Sequence, residues 1–368
     1  MADKILSISR RTRRTPFTPS VEAAGVKGYT VYNHILLPTV FDSNESDYWS
    51  LCKDVQVWDV SCERQIEVSG PDSERLIQLM TPRDISKAVI GQGLYAPLCD
   101  ESGCLINDPI LIKFAPDSWW VSIADSDVRL WARGLAYGLG LDVQVGEAAI
   151  WPLAVQGPKA EQLVSRVFGD EVCSIRFFRS KMLEFQGHPM MVMRSGYSKQ
   201  GGFEIYLNDP DLAAPLWNEL FAKGVDLKVR AGGPNLIERI ESGLLSYGND
   251  MNFTHNPFEC GLDAYMDLDA DIDSMSLHAL RAIRGKHIHQ LVGIVFDEVV
   301  EFDSFNIEAN GQLVGDVRSQ VWSPRYNKFL AMVMMKRDFL ADHSSIAIDG
   351  KTGNIVELPF NLKSSVES

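Results

Sequence analysis

The sequence has little that would tie the protein to nucleic acid or to a membrane. Its 368 residues carry 49 acidic against 35 basic side chains, a formal net charge of −14, and anionic surfaces repel an acidic protein. No apolar run approaches the roughly 20 residues that a membrane-spanning helix needs. The composition therefore predicts no nucleic-acid partner and no membrane contact, while leaving small-molecule substrates open.

Cysteine and histidine are scarce and dispersed. The six cysteines include no C-x-x-C pair, so neither a disulfide framework nor a zinc site is predicted, and reduced thiols in a cytoplasm are expected. His287 and His289 would share one face of a strand, but two histidines without a third ligand favour an ordinary strand face. No apolar segment follows the basic segment Arg10–Arg14, so a secretory signal is not expected. These patterns predict a cytoplasmic protein without a metal.

The common catalytic motifs are also missing. No glycine-rich stretch has the G-x-x-x-x-G-K-[ST] pattern that binds phosphate, and residues 196–202 do not follow the dinucleotide-binding fingerprint. There is no G-x-S-x-G turn and no H-E-x-x-H helix. These absences disfavour nucleotide hydrolysis, dehydrogenation, serine hydrolysis and zinc proteolysis.

Strand and helix patterns alternate over the first 270 or so residues. Glu63–Met80 reads as strand, turn and helix, and a hairpin is predicted around residues 115–117. Met190–Met193 and Phe203–Leu207 are predicted to be paired strands. Pro234 begins a predicted helix that Gly248 ends, because apolar residues recur at helical spacing between them. This part of the chain is expected to be α+β.

The predicted secondary structure changes after about residue 277, from mixed helices and strands to strands alone. Short strands are predicted at His287–Phe296, Phe305–Glu308, Gln312–Val317, Phe329–Met334, Ser345–Ile348 and Ile355–Pro359. The pair Asn310-Gly311 is typical of a tight hairpin between two of them. The pattern predicts a C-terminal all-β module that is closed or nearly closed.

Two groups of polar residues could carry chemistry. Asp108 precedes Pro109 and an apolar strand, which fits either a functional carboxylate or a turn cap. Glu204 and Tyr206 alternate with apolar residues and therefore share one strand face, which fits either a site or a solvent-exposed surface. The local pattern leaves both alternatives open.

Five segments in the same order resemble motifs of the glycine-cleavage T-protein (aminomethyltransferase) family. The family motifs are D-V-S, G-G-x-x-D-D, Q-G-P, R-x-G-Y-T-G-E-x-G-x-E-I and R-L-E-A-G-L-x-L-Y-G-x-D. Their counterparts are Val57–Ser61, Gly103–Asp108, Val155–Pro158, Arg194–Tyr206 and Arg239–Asp250. Any one motif is weak, but five in register across most of the chain are specific.

Further segments are similar to the branch of that family that demethylates dimethylsulfoniopropionate (DMSP). They are Arg14–Phe17, Tyr29–Asn33, Leu37–Val40, Val55–Val60 with Cys62–Gln65, Ser195–Gly202 and Pro234–Ile240. The resemblance implies an α+β, three-domain cloverleaf fold like that of T-protein, with a C-terminal β-barrel domain. It implies a folate-binding core of residues 1–50 and 140–265, a second α+β domain of residues 51–139, and a barrel of residues 275–368.

The resemblance also implies an activity. A methyl group would pass from DMSP to N5 of tetrahydrofolate, giving methylmercaptopropionate and 5-methyltetrahydrofolate, with a homodimer as a possible assembly. One alternative is a related folate-dependent demethylase or aminomethyltransferase with another methylated or lipoyl-bound donor. The other is a folate-binding module without turnover.

Site residues follow from the resemblance position by position. The folate contacts fall on Tyr95, Asp108, Ile110, Tyr197 and Glu204. Asp108 is the pterin-facing aspartate and, with Tyr206, a catalytic candidate. Tyr206 also matches a tyrosine associated with the active site of the demethylase branch. Independently of the resemblance, aromatic faces attract a sulfonium by cation–π attraction worth about 0.5–2 kcal/mol, and Tyr206, with Tyr32 or Trp58, is the candidate for this contact; alternatively, the Tyr206 hydroxyl would bind the donor carboxylate.

Two departures from the family motifs disfavour a lipoyl-bound donor. Asn235 stands where T-proteins have an arginine. The histidine of the D-V-S-H-M segment is replaced within Ser61–Glu63. Both changes fit a different methyl donor.

Overall fold

The computed structural model describes residues 9–302, 305–309 and 311–365. The α-helices within these residues are α1 (Thr18–Ala23), α2 (Asn44–Lys53), α3 (Ser73–Met80), α4 (Val128–Gly138), α5 (Ala160–Phe168), α6 (Ala213–Lys223), α7 (Leu236–Glu241), α8 (Leu277–Ile283) and α9 (Arg337–Asp342). No helix in this part of the chain has the length and apolar character to cross a membrane.

The β-strands alternate with these helices and then dominate the C-terminal part. They are β1 (Gly28–Tyr32), β2 (Ile35–Val40), β3 (Val55–Asp59), β4 (Gln65–Ser69), β5 (Gly93–Tyr95), β6 (Leu98–Cys99), β7 (Leu105–Asn107), β8 (Ile110–Ala115), β9 (Ser118–Ser122), β10 (Gln144–Glu147), β11 (Trp151–Gln156), β12 (Ser180–Phe185), β13 (His188–Met193), β14 (Gly202–Leu207), β15 (Val229–Gly232), β16 (His289–Phe296), β17 (Asn306–Ala309), β18 (Gln312–Ser323), β19 (Lys328–Lys336), β20 (Ser345–Ile348) and β21 (Lys351–Val356).

The chain divides into two compact units, each made of separate stretches of sequence. Unit 1 consists of the described parts of residues 1–65, 148–196 and 200–234. Unit 2 consists of the described parts of residues 66–147, 197–199 and 235–368. The three-domain boundaries given above stay a prediction.

Unit 1 is built on a mixed sheet with the order β12–β13–β14–β11–β3–β15. Its pairs are antiparallel except β15, which runs parallel to β3. Apolar residues on one face of the sheet, such as Ile205, pack with α5 and α6 in a buried core. Because side chains alternate along a strand, the other face carries Trp58, Ala154 and Glu204, which are aligned across β3, β11 and β14. The predicted pairing of strands 190–193 and 203–207 is confirmed by the Met191↔Tyr206 register.

Unit 2 contains a first sheet with the order β10–β4–β9–β8–β5. Residues of α3 and α4 pack with it in a core that includes Leu76, Trp119 and Ala132. The predicted strand–turn–helix of residues 63–80 is confirmed by β4 and α3. The predicted hairpin is confirmed by the β8–β9 pairing, with Lys113 opposite Trp119.

The C-terminal sheet of unit 2 has the order β17–β18–β19–β16–β21–β20, and all its pairs are antiparallel. The two edge strands, β17 and β20, also contact each other, so the sheet forms a nearly closed barrel, as predicted. Asn310 of the predicted tight hairpin lies outside the described residues. Its flanking residues Ala309 and Gln312 are paired.

The helix predicted from Pro234 to Gly248 is wrong in its length. Helix α7 ends at Glu241, and Gly243 follows with φ +63°. The amide of Leu244 donates to the carbonyl oxygen of Arg239 at 2.8 Å, an arrangement that ends helices at a left-handed glycine. A Cβ on Gly243 would lie 2.9 Å from the Pro359 Cα, a long-range contact that helical spacing does not reveal. The residues after α7 therefore form a loop, here called the 243–251 loop.

The last predicted strand is displaced. It spans Lys351–Val356 instead of Ile355–Pro359, because Ile348 pairs with Lys351 across a turn in which Asp349 and Gly350 have φ values of 52° and 70°. Pro359 also has no amide hydrogen to donate to a strand ladder.

Candidate active site

Asp108 lies in unit 2, between β7 and β8. Its Oδ2 accepts a hydrogen bond of 2.9 Å from the Tyr95 hydroxyl. Its Oδ1 is buried and has no hydrogen-bond partner among the described residues. A buried carboxylate oxygen without a partner is costly. The arrangement therefore suits a carboxylate that accepts a hydrogen bond from a ligand better than it suits a turn cap.

The environment of Asp108 changes its acidity. Burial raises the pKa of this carboxyl to about 7, against the lowering effect of the Tyr95 hydrogen bond, and Asp250 raises it further. Near neutral pH the group is present in both protonation states. A carboxyl with such a pKa can both accept a proton and, when ionised, stabilise positive charge.

Tyr95 is held on several sides. It stands opposite Ile110 in the β5–β8 pair, so two of the predicted folate contacts are neighbours. Its ring meets the Tyr265 ring edge-on, with centroids 4.7 Å apart and planes at 88°. Arg83 donates to the Tyr95 carbonyl oxygen and lies over the Tyr265 ring. Burial and the charge of Asp108 raise the pKa of Tyr95 well above its usual value, so its hydroxyl remains a donor.

Tyr197 also belongs to unit 2. Its hydroxyl donates to the carbonyl oxygens of Leu245 at 2.8 Å and Leu244 at 3.3 Å. Both acceptors lie in the 243–251 loop, which exists because α7 ends early. The hydroxyl is thereby fixed to the backbone, and the half-buried ring is the part of Tyr197 that can contact a ligand.

A buried ion pair closes the 243–251 loop. The guanidinium of Arg239 donates to Asp250 Oδ2 at 2.8 Å and to Ser319 Oγ at 2.7 Å. The Ser319 hydroxyl in turn donates to Asp250 Oδ1 at 2.5 Å. The Ser246 amide adds a third bond to Asp250 at 2.8 Å. Sequence reasoning did not single out Ser319 or Tyr265, because neither lies in a local motif.

Unit 1 contains a second buried carboxyl. Glu204 Oε2 accepts hydrogen bonds from Ser195 Oγ at 2.5 Å and from the Tyr206 hydroxyl at 3.2 Å. Glu204 is 7% exposed and Tyr206 is 2% exposed. The alternative in which both residues face solvent is therefore wrong.

The acidity of this pair follows from burial. Burial raises the pKa of Glu204, while the hydrogen bonds from Ser195 and Tyr206 oppose that rise. Burial, followed by the charges of Glu204 and Glu63, raises the pKa of Tyr206 well above its usual value. The Tyr206 hydroxyl therefore keeps its single proton, which it donates to Glu204.

The segment that leads into this site is supported from β11. The Gln156 amide donates to the Ser195 carbonyl oxygen at 3.0 Å. Gly196 has φ +137°, and a Cβ there would lie 1.9 Å from Gln156 Nε2. The Q-G-P segment and the S-G-Y segment are far apart in sequence, yet the Gln156 side chain lies so close to Gly196 that a larger residue would not fit there.

The other two aromatic candidates of unit 1 differ in exposure, since Trp58 is fully buried and Tyr32 is only partly buried. Trp58 is fully buried, and its indole nitrogen donates to Gln56 Oε1 at 2.8 Å. Tyr32 is half-buried and packs with Ile35, Leu37 and Cys62. The structure joins Glu204 directly to Tyr206, whereas sulfonium binding by Tyr32 or Trp58 stays a prediction.

Asn235, the residue at which the sequence departs from T-proteins, has a local structural role. Its side chain caps α7 by accepting from the amides of Ile237 at 3.0 Å and Glu238 at 3.2 Å. Asparagine is among the residues that helix N-termini prefer. The asparagine at this position therefore stabilises the start of α7, a role that an arginine side chain, which has no hydrogen-bond acceptor, cannot fill.

The chain matches a known family. The family described as the GCVT N-terminal domain matches residues 17–270, and the chain belongs to this family. Among its relatives, the dimethylsulfoniopropionate demethylase DmdA of Ruegeria pomeroyi is 48% identical over 346 residues, covering 94% of this chain and 95% of the relative. The predicted family membership is thus confirmed.

More distant relatives show how far the fold extends. An aminomethyltransferase of Lysinibacillus sphaericus is 27% identical over 369 residues, covering 97% of this chain and all of the relative. The crystal structure of glycine cleavage system aminomethyltransferase T from Bartonella henselae matches with a TM-score of 0.83 at 21% identity, covering 96% of this chain and 99% of that one. The predicted T-protein-like fold is confirmed.

Proposed function

We propose that the protein is a methyltransferase that moves a methyl group from DMSP to N5 of tetrahydrofolate, giving methylmercaptopropionate and 5-methyltetrahydrofolate. The observation that carries the proposal is the carboxyl of the half-buried Asp108, with one oxygen bound by Tyr95 and the other, Oδ1, buried and without a partner among the described residues. The 48% identity to a DMSP demethylase supports the choice of donor.

The residues of unit 2 fit a folate. When bound, tetrahydrofolate supplies the N5 lone pair that accepts the methyl group. The N–H groups of a pterin ring are donors, and Asp108 Oδ1 is an acceptor that needs one. Tyr95 keeps the other oxygen occupied and so fixes the direction of the carboxyl. Ile110 and the Tyr197 ring would line the same ligand as apolar surfaces.

The charge of Asp108 suits the reaction. During transfer, positive charge moves from sulfur towards nitrogen, and a nearby carboxylate stabilises the charge that arrives. With its pKa raised to about 7 by burial, Asp108 can also take the amine proton afterwards. The leaving group is a neutral thioether, so it requires no acid. Positioning of the two reactants would supply about 7–11 kcal/mol of the barrier reduction.

Tyr206 is the proposed contact with the donor. A phenol has one proton, and the Tyr206 hydroxyl donates it to Glu204. This hydroxyl cannot at the same time donate to a carboxylate of DMSP. The aromatic face of Tyr206 is the part that we propose attracts the sulfonium, through cation–π attraction, although only 2% of the residue is exposed. Glu204 acts here by orienting Tyr206 as well as by its predicted contact with folate.

The test is direct. The purified protein is incubated with DMSP and tetrahydrofolate, and both products are quantified by mass spectrometry. We expect methylmercaptopropionate and 5-methyltetrahydrofolate to form in equal amounts. A folded protein that forms neither product contradicts the proposal.

A panel of other donors separates the alternatives. Turnover only with other N-, O- or S-methyl donors, or with a lipoyl carrier protein, would indicate a related transferase. Folate binding without turnover on any donor would indicate a binding module. The cytoplasmic location and the homodimer stay predictions.

A further inference from the structure

The buried ion pair Arg239–Asp250 joins α7 to the 243–251 loop. Asp250 has no exposed surface, and it accepts bonds from the Arg239 guanidinium, the Ser319 hydroxyl and the Ser246 amide. Replacing a buried ion pair by apolar residues is often neutral or stabilising, so such a pair is weak evidence for stability alone. A role in the site is therefore worth testing against the contacts that the pair makes.

One role is geometric. The Ser246 amide that binds Asp250 directly follows the two carbonyls that accept from Tyr197, those of Leu244 and Leu245. Asp250 also turns the end of the same loop, since its amide donates to the Ser246 carbonyl oxygen at 2.9 Å. The ion pair thus fixes the backbone segment to which the Tyr197 hydroxyl is attached.

The other role is electrostatic. The titratable groups that interact with Asp108 are Tyr95 on β5, Tyr197, Tyr247 and Asp250 of the 243–251 loop, and Cys260. Of these, Asp250 is the other carboxyl, and its charge raises the pKa of Asp108. Loss of the Asp250 charge would therefore favour the ionised form of Asp108.

We propose that Asp250 is a positioning residue of the methyl-transfer site: held by Arg239 and Ser319, it fixes the loop that orients Tyr197 and presents a buried negative charge to Asp108. This inference rests on the proposed function. It assigns to a residue of the R-I-E-S-G-L-L-S-Y-G-N-D segment a task in the reaction that the helix and loop structure alone would not require.

The experiment compares pH profiles. The wild type, Asp250→Asn, Ser319→Ala and the exposed control Asp271→Asn are assayed for kcat/KM with DMSP and for the tetrahydrofolate Kd between pH 5.5 and 8.5. We expect activity and folate affinity to fall below about pH 7 in the wild type, as Asp108 becomes protonated. In Asp250→Asn that fall should move to lower pH. In Ser319→Ala, which removes a hydrogen bond but no charge, it should stay in place.

A second variant guards against a folding defect. The double variant Arg239→Gln/Asp250→Asn replaces the ion pair by two amides, so no buried charge loses its partner. The acid limb of its pH profile, which is the fall in activity and folate affinity at low pH, should also move to lower pH. An unchanged acid limb in either folded variant, or a shift in Ser319→Ala as large as in Asp250→Asn, would overturn the inference. Failure of both Asp250 variants to fold would also overturn it, because Asp250 would then be a structural requirement.

The two proposals fail in different ways. If the wild type binds tetrahydrofolate but does not turn over DMSP, the proposed function is wrong, while the Kd profile still tests Asp250. If the wild type is active and the variants keep its profile, the inference about Asp250 alone is wrong.

Discussion

Asp108 in unit 2 and Glu204 in unit 1 each have a carboxyl whose pKa is raised by burial, yet their surroundings differ. Glu204 receives two hydroxyl donors on one oxygen, from Ser195 and Tyr206. Asp108 receives one donor, from Tyr95, and its other oxygen has no partner among the described residues. A carboxyl such as Glu204, which already accepts hydrogen bonds from the protein, can orient the side chains that donate to it. A carboxyl such as Asp108, which has an oxygen without a donor, can accept a hydrogen bond from a ligand.

The largest expected effect separates the two carboxyls by activity. Asp108→Asn keeps the shape of the side chain but removes the charge and offers an amide. We expect kcat/KM for methyl transfer to fall by about 10²–10³-fold, the cost typical of losing one electrostatic contact to a transition state. Glu204→Gln should lose less, and the exposed Asp271→Asn should lose nothing. Steady-state assays measure this, and equal losses at Asp108 and Glu204 would remove the distinction between them.

The second prediction concerns stability. The folded-state pKa of Asp108 is about 7 against an ordinary value of 3.8, so the folded protein binds this proton more tightly than the unfolded chain. The stability that this group contributes is complete below pH 4 and is lost as the pH rises through 7. Asp108→Asn should therefore be more stable than the wild type at pH 8, by up to about 4 kcal/mol, and gain little at pH 4.

Urea unfolding at the two pH values checks this prediction. Glu204→Gln should show a gain of the same sign but smaller, because two hydroxyl donors already stabilise the Glu204 carboxylate. If the wild type is more stable than Asp108→Asn at pH 8, then burial does not make the ionised form of Asp108 unfavourable in the folded protein.

The third prediction separates the ring of Tyr206 from its hydroxyl. Tyr206→Ala should destabilise the protein by about 3–5 kcal/mol, as for other buried aromatic side chains, and should raise the KM for DMSP. Tyr206→Phe keeps the ring and removes the bond to Glu204, which should cost only about 1–2 kcal/mol of stability and leave that KM within a few-fold. Tyr137→Phe, at an exposed tyrosine, serves as the control. If Tyr206→Phe raises the KM as much as Tyr206→Ala, the hydroxyl contacts the donor.

The smallest expected effect is at Ser195. Ser195→Ala removes one of the two donors to Glu204 and should cost about 1–2 kcal/mol of stability. Because the Tyr206 bond remains, methyl transfer should fall less than tenfold. A loss of activity as large as that of Asp108→Asn would show that Glu204 depends on Ser195 for more than orientation.

Much of this could be predicted from the sequence. Alternation placed Glu204 and Tyr206 on one strand face, and five motifs in register gave the family and its fold. The end of α7 at Glu241 could not be predicted, because the helical spacing of apolar residues continues past Gly243, which is fitted against Pro359. Nor could the burial of Asp108 or the presence of Tyr265 and Ser319, since these depend on contacts between residues distant in sequence.

The most direct test of the account is a single-turnover experiment with DMSP whose S-methyl groups carry ¹³C, mixed with tetrahydrofolate and an excess of protein. The account predicts that the label appears in 5-methyltetrahydrofolate as methylmercaptopropionate forms, and that Asp108→Asn slows this transfer by about 10²–10³-fold while it remains folded. Absence of label in folate with the wild type, or transfer by Asp108→Asn at the wild-type rate, would contradict it.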